Sequence, residues 1–177
     1  DPYCLHDEPR DWRAGIEEGV AGLRVAVVRK LGYAPPIDAE GEAAVLTAAR
    51  ILSEHGAIVE DADPELPDTR EIFGRVWGVA LARLVKTMPA EKRALLDKGL
   101  EEVAEREGGM SAVDFLGAEA LRTETAHAMA RFHLKYDLVL CPTTPTAAFD
   151  ADAPTLKPAQ ALWRDWAPWT FTFNLTR

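Results

Sequence analysis

Residues able to do covalent chemistry are scarce in this 177-residue chain. Ser53 and Ser111 are its only two serines. Ser53 falls near the end of an amphipathic helical pattern and Ser111 at a helix start. Neither sits on a strand-to-helix elbow or in a glycine-rich loop where a base could activate it. Cys141 closes the apolar run Leu138-Val139-Leu140, where a thiol is expected to be an inert core residue. The four histidines, His6, His55, His127 and His133, include no pair at i, i+4 and no HExxH, which argues against a zinc centre. His55 reads as a helix C-terminal residue facing the dipole, and His127 and His133 as helix-surface or core residues. Gly15, Gly19 and Gly22 follow no strand and no glycine occurs after Gly117, so no phosphate-cradling loop is expected. No cofactor is implied, and no catalytic residue is assigned.

The elements that would position any site read as an α/β arrangement. Residues 1–22, with Pro2, Pro9 and Gly22, suggest an opening loop. Leu23-Arg24-Val25-Ala26-Val27-Val28 is apolar at nearly every position, as expected of a parallel-sheet strand covered on both faces. Asp38 then caps a helix with the stripe Ala44, Val45, Ala48, Ile51, Leu52 and His55, closed by Gly56. Ala57-Ile58-Val59-Glu60 follows as a second strand, so residues 23–62 form a βαβ unit.

Residues 68–135 read as a helical block. Asp68-Thr69-Arg70-Glu71 starts a helix with the stripe Phe73, Val76, Trp77, Ala80, Leu81, Leu84 and Met88, and Pro89 interrupts it. Leu95, Leu96, Gly99, Leu100 and Val103 predict another helix, stopped by Gly108-Gly109. Ser111 opens a long one carried by Phe115, Leu116, Leu121, Ala126, Met129 and Phe132. Residues 136–177 combine the strand Tyr136 to Cys141, the turn Pro142-Thr143-Thr144-Pro145, and a proline-rich loop with Trp163, Trp166 and Trp169. In an open α/β sheet the loop at a strand's carboxyl end is where ligands tend to sit. The last stretch, Trp166 to Arg177, alternates aromatic and polar residues and reads as a buried strand cut short. Together with an Asp at position 1, this makes the whole chain, 1–177, read as a single segment of a larger protein.

The bulk composition excludes several classes. With 47% apolar and 28% charged residues the balance is that of a globular domain. A net charge of −9 argues against nucleic acid or an anionic membrane as partner. Cys4 and Cys141 form neither a CxxC motif nor a disulfide framework, and no apolar run approaches a membrane span. A cytoplasmic location is expected; a homo-oligomer stays compatible with the sequence.

In order and spacing, the pieces resemble the amidase signature family across nearly the whole chain. The specific parts are Tyr136-Asp137-Leu138-Val139-Leu140-Cys141-Pro142-Thr143-Thr144-Pro145 and the stretch Thr170-Phe171-Thr172-Phe173-Asn174-Leu175-Thr176. Asp1-Pro2, the strand Leu23 to Val28, the acidic stretch Glu60 to Pro67 and Arg122 fit the same order. The resemblance implies a mixed-sheet α/β/α fold and a hydrolase acting on small carboxamides through a serine nucleophile, a second serine and a lysine. In the family those residues precede the segment resembled, so this chain would be non-catalytic. It would complete the sheet and line part of the substrate pocket through Thr143, Thr144, Trp166 and Thr170. The branch that transamidates aminoacyl-tRNA carries an Asp where this chain has Ala167, which favours a small-molecule amidase over a piece of an aminoacyl-tRNA amidotransferase. An autonomous α/β interaction module is the alternative from a different class.

Overall fold

Strand β1 (Arg24–Val27) lies between β2 (Ile58–Asp61) and β3 (Leu138–Leu140), parallel to both. The register places Val25 beside Val59 on one side and Leu138 on the other. The computed structural model describes Asp11, residues 13–150 and residues 167–176. A central parallel strand must be apolar on both faces, and Val25 and Ala26, successive residues pointing opposite ways, are both fully buried.

Helix α1 (Ala39–Glu54) joins β1 to β2 and starts where the Asp38 carboxylate accepts the Gly41 amide at 2.7 Å. It ends at His55, followed by Gly56 at φ 91°, a left-handed turn that glycine adopts without strain. The His55 ring nitrogen Nδ1 lies 2.9 Å from the Ile51 carbonyl oxygen, consistent with its reading as a helix-end residue. The expected α1 stripe is only partly used. Val45 is its one buried residue, while Ile51 is 44% exposed.

The return from β2 to β3 runs through α2 (Thr69–Thr87), α3 (Ala90–Arg93), α4 (Lys98–Glu107) and α5 (Ala112–Phe132). Asp68 caps α2 by accepting the Arg70 amide, and Ser111 caps α5 by accepting the Asp114 amide. Two sequence expectations change here. The helix expected from Leu95 begins only at Lys98, because the Asp97 carboxylate accepts the Gly99 amide and takes the N-cap; Leu95 is left exposed. In α5 the inward residues are Ala118, Thr125 and Met129, while Leu116 and Leu121 face outward. That helix has apolar residues on two sides, and sequence spacing alone does not say which side is covered.

A third correction concerns the last stretch. Residues 171–176 form a helix, α6 (Phe171–Thr176), and not a strand. Phe171, Thr172 and Leu175 are its buried residues, an i, i+1, i+4 set that suits a helix, and Phe173 turns outward. The Thr/Phe alternation favours a strand by propensity, but packing against α2 and α5 overrides it.

The main core gathers Ala26, Val28, Leu31, Tyr136 and Trp169, with Phe132 and Val139 against it. A second cluster, Leu81, Val103 and Ala104, binds α2 to α4. There the absence of a side chain at Gly78 lets Glu107 approach, since a Cβ would overlap its Cγ.

Candidate functional site

The strand order β2-β1-β3 means that the chain leaves β1 first toward one side and later returns on the other. Such a reversal opens a crevice at the carboxyl ends of the strands, here the segment after β1 and the loop after β3. Thr143 and Thr144 stand on that loop. With Ala44 and Val45 of α1, Cys141 and Pro142 they line a groove of about 400 Å³. The loop is fixed to α1. The Asp38 amide donates to the Pro145 carbonyl at 2.8 Å, and the Thr144 hydroxyl to the Thr146 carbonyl at 3.0 Å. The Thr146 hydroxyl, and then the Gly41 amide, hold the Asp38 carboxyl below the usual carboxylate range.

A second groove of about 400 Å³ runs between α2 and α6, lined by Phe73, Val76, Trp77, Arg122, Phe173 and Asn174 among others. Its floor is aromatic. Phe73 stacks on Trp77 with ring centroids 5.7 Å apart and on Phe171 at 4.4 Å. Arg122 donates from Nε to the Leu175 carbonyl at 3.2 Å and pairs with Glu119, so its guanidinium serves the last turn of α6. This combination, apolar walls with an amide and a guanidinium at the margin, suits an organic ligand with one polar group.

Of the residues expected to line a pocket, Thr143 and Thr144 share the first groove. Thr170 lines neither groove and donates its hydroxyl to the Ala167 carbonyl at 2.9 Å. Trp166 lies outside the described residues, as do Trp163 and His6. Trp169 is buried, its indole N–H donating to the Pro36 carbonyl at 3.0 Å. Sequence reading missed the α2–α6 groove as a unit. Phe73 and Trp77 stood out only as core positions, and nothing local signals that residues about a hundred positions later complete their wall.

The described residues hold no assembled nucleophile. Ser53 is exposed, and the Ser111 hydroxyl donates to Asp114 at 2.6 Å as part of the helix cap. Burial pushes the Cys141 thiol up to about 11, so at neutral pH it is protonated and a poor nucleophile. Among the described residues, no three His, Cys, Asp or Glu side chains gather to hold a metal ion. No helix among them is long and apolar enough to cross a membrane.

The class defined so far is an α/β fold with a short parallel sheet, ligand-sized grooves and helices grouped in its second crossover. The amidase family model matches residues 1–177, and the chain belongs to the amidase signature family. An amidase from Pseudomonas putida is 29% identical over 84% of this chain and 32% of its own length. The A component of the glutamyl-tRNA(Gln) amidotransferase from Synechococcus sp. (strain CC9902) is 28% identical over 86% of this chain and 36% of its own. Among solved structures, a bacterial aryl acylamidase of the amidase signature family superposes with a TM-score of 0.80 at 22% identity, covering 99% of this chain and 39% of that one. The chain thus spans about a third of the length of the curated relatives it matches.

Proposed function

We propose that this chain is the non-catalytic portion of an amidase that hydrolyses a carboxamide C–N bond to a carboxylate and ammonia or an amine. The observation that carries the reading is the sheet. Its three strands are all parallel, and β2 and β3 are both edges, with Ile58 and Leu138 left 47% and 43% exposed. Parallel sheets are normally covered on both faces, so strands and helices beyond those described would complete this one. The serine nucleophile, its base and the oxyanion donors of acyl transfer would come from that remainder. This chain would supply a pocket wall through Thr143 and Thr144 on the strand-end loop.

The test is an amide-hydrolysis assay of the full-length protein, with Thr144→Val as the probe variant. The reading expects hydrolysis of small amides, and a KM raised about three- to tenfold by the variant at nearly unchanged kcat. A full-length protein inert toward every amide tried would overturn it. The tRNA-amidotransferase relatives support a second reading, as part of such an amidotransferase, which copurification with the other components of that enzyme would favour. Ala167, at the position where that branch carries an Asp, weighs against it.

A further inference from the structure

Thr69 and Thr172 are both fully buried, and they stand 103 positions apart in the chain. Their hydroxyl oxygens are 2.8 Å apart, and the Thr69 hydroxyl also lies 2.9 Å from the Leu31 carbonyl oxygen. A hydroxyl has one proton and a carbonyl has none, so the polarity of this chain of bonds is determined. Thr69 must give its proton to Leu31, and Thr172 must therefore donate to Thr69. The result is a directed relay joining three elements: the segment after β1, the first residue of α2 and the second residue of α6.

The relay matters because of what α6 is. Six residues cannot sustain a helix by themselves, so α6 depends on bonds from elsewhere. Arg122 holds its carbonyl end at Leu175, and Trp169 and Tyr33 anchor the approach through Pro36 and Pro168. The threonine relay is the tie between the body of α6 and the carboxyl end of the central strand. On its outer side α6 presents Phe173 and Asn174 to the groove whose far wall is Phe73 and Trp77. Moving α6 would change the width of that groove.

We infer that Thr69 and Thr172 are positioning residues, whose directed hydroxyl relay sets the aromatic α2–α6 groove for the organic portion of the substrate. The assignment of that groove to substrate rests on the amidase reading. The bond directions make a graded prediction. Thr172→Val removes a donor and leaves Thr69 still bonded to Leu31. Thr69→Val strands a buried hydroxyl and a buried carbonyl together, and Thr69→Ser keeps every bond. An unsatisfied buried group costs more than an absent pair.

The experiment measures KM and kcat of the full-length protein on an anilide, with hydrogen exchange at residues 171–176 in the same preparations. Thr172→Val is expected to raise KM about threefold and Thr69→Val about tenfold, with kcat within about twofold; Thr69→Ser restores near-normal KM. Exchange at α6 should quicken in the same order while β1 stays protected. Equal KM and equal α6 exchange in all variants would overturn the inference. So would exchange that rises uniformly through β1, the mark of a merely structural role. If the protein cleaves no amide, the amidase reading fails, and the exchange pattern still decides whether the relay orders α6.

Discussion

Helix α1 and the segment 167–176 differ in a way their lengths do not suggest. The sixteen-residue α1 buries one side chain, Val45. The ten-residue segment buries Ala167, Pro168, Trp169, Phe171, Thr172 and Leu175, and α2, α5 and the residues after β1 converge on it. The long helix forms from local signals, a cap at Asp38 and a glycine stop, and then covers little of the sheet. The short one forms only because distant elements hold it. Burial in this chain therefore follows the contacts its own elements make, and α1 makes few of them.

That contrast is open to attack by substitution. Phe171→Ala removes a fully packed ring and its stack on Phe73, and should cost about 3–5 kcal/mol, measured by urea unfolding. Gly32→Ala comes next. Gly32 has φ 82°, and a Cβ there would overlap the Pro67 carbonyl oxygen, so the segment between β1 and α1 and the segment that leads into the α2 cap must move apart. A loss of about 2–3 kcal/mol is expected in the same assay.

A third effect is read as pH dependence. The Glu60 carboxylate accepts from the Tyr136 hydroxyl at 2.8 Å, and Lys135 and Arg24 approach it at 3.2 and 3.0 Å. These hydrogen bonds, Tyr136 first, hold the Glu60 carboxyl below its usual range, and the Tyr136 and Glu60 bonds hold Lys135 above its own. A lowered acid contributes stability above its unfolded value, about 4.3, that is lost as pH falls through the folded one. A raised base contributes stability below about 10.4 that is lost as pH rises through its folded value. Stability should therefore fall at both extremes, and Glu60→Gln should flatten the acid limb of Tm against pH. An unchanged acid limb would remove the network from the account.

The smallest effect is the most telling for the comparison. Ile51→Ala in α1 should cost under about 1 kcal/mol in this chain, because Ile51 is nearly half exposed. In the full-length protein the same change should cost about 2 kcal/mol or more if other elements cover that face. Equal costs in the two settings would mean that α1 faces solvent in both.

Much of this was legible in the sequence, for identifiable reasons. β1 was readable because burial on both faces leaves few residue types besides Val and Ala. The caps at Asp38, Asp68 and Ser111 were readable because capping is settled within three residues. The family was readable from the strand and turn Tyr136 to Pro145 and the stretch Thr170 to Thr176. What escaped is non-local. Alternating Thr and Phe in 170–173 follow strand statistics, and only α2 and α5 make them helical. Thr69 and Thr172 look like surface residues until Leu31 is placed beside them. The inward choice between Leu116 and Ala118 was equally invisible, since both lie on apolar sides of one helix.

The central claim is that this chain shapes an amidase without carrying its chemistry, and amine release tests it directly. The full-length protein and the isolated chain are given the same small amides at equal molar concentration. The account predicts hydrolysis by the former and none by the latter. Turnover by the isolated chain, abolished by a substitution within its own residues, would contradict it.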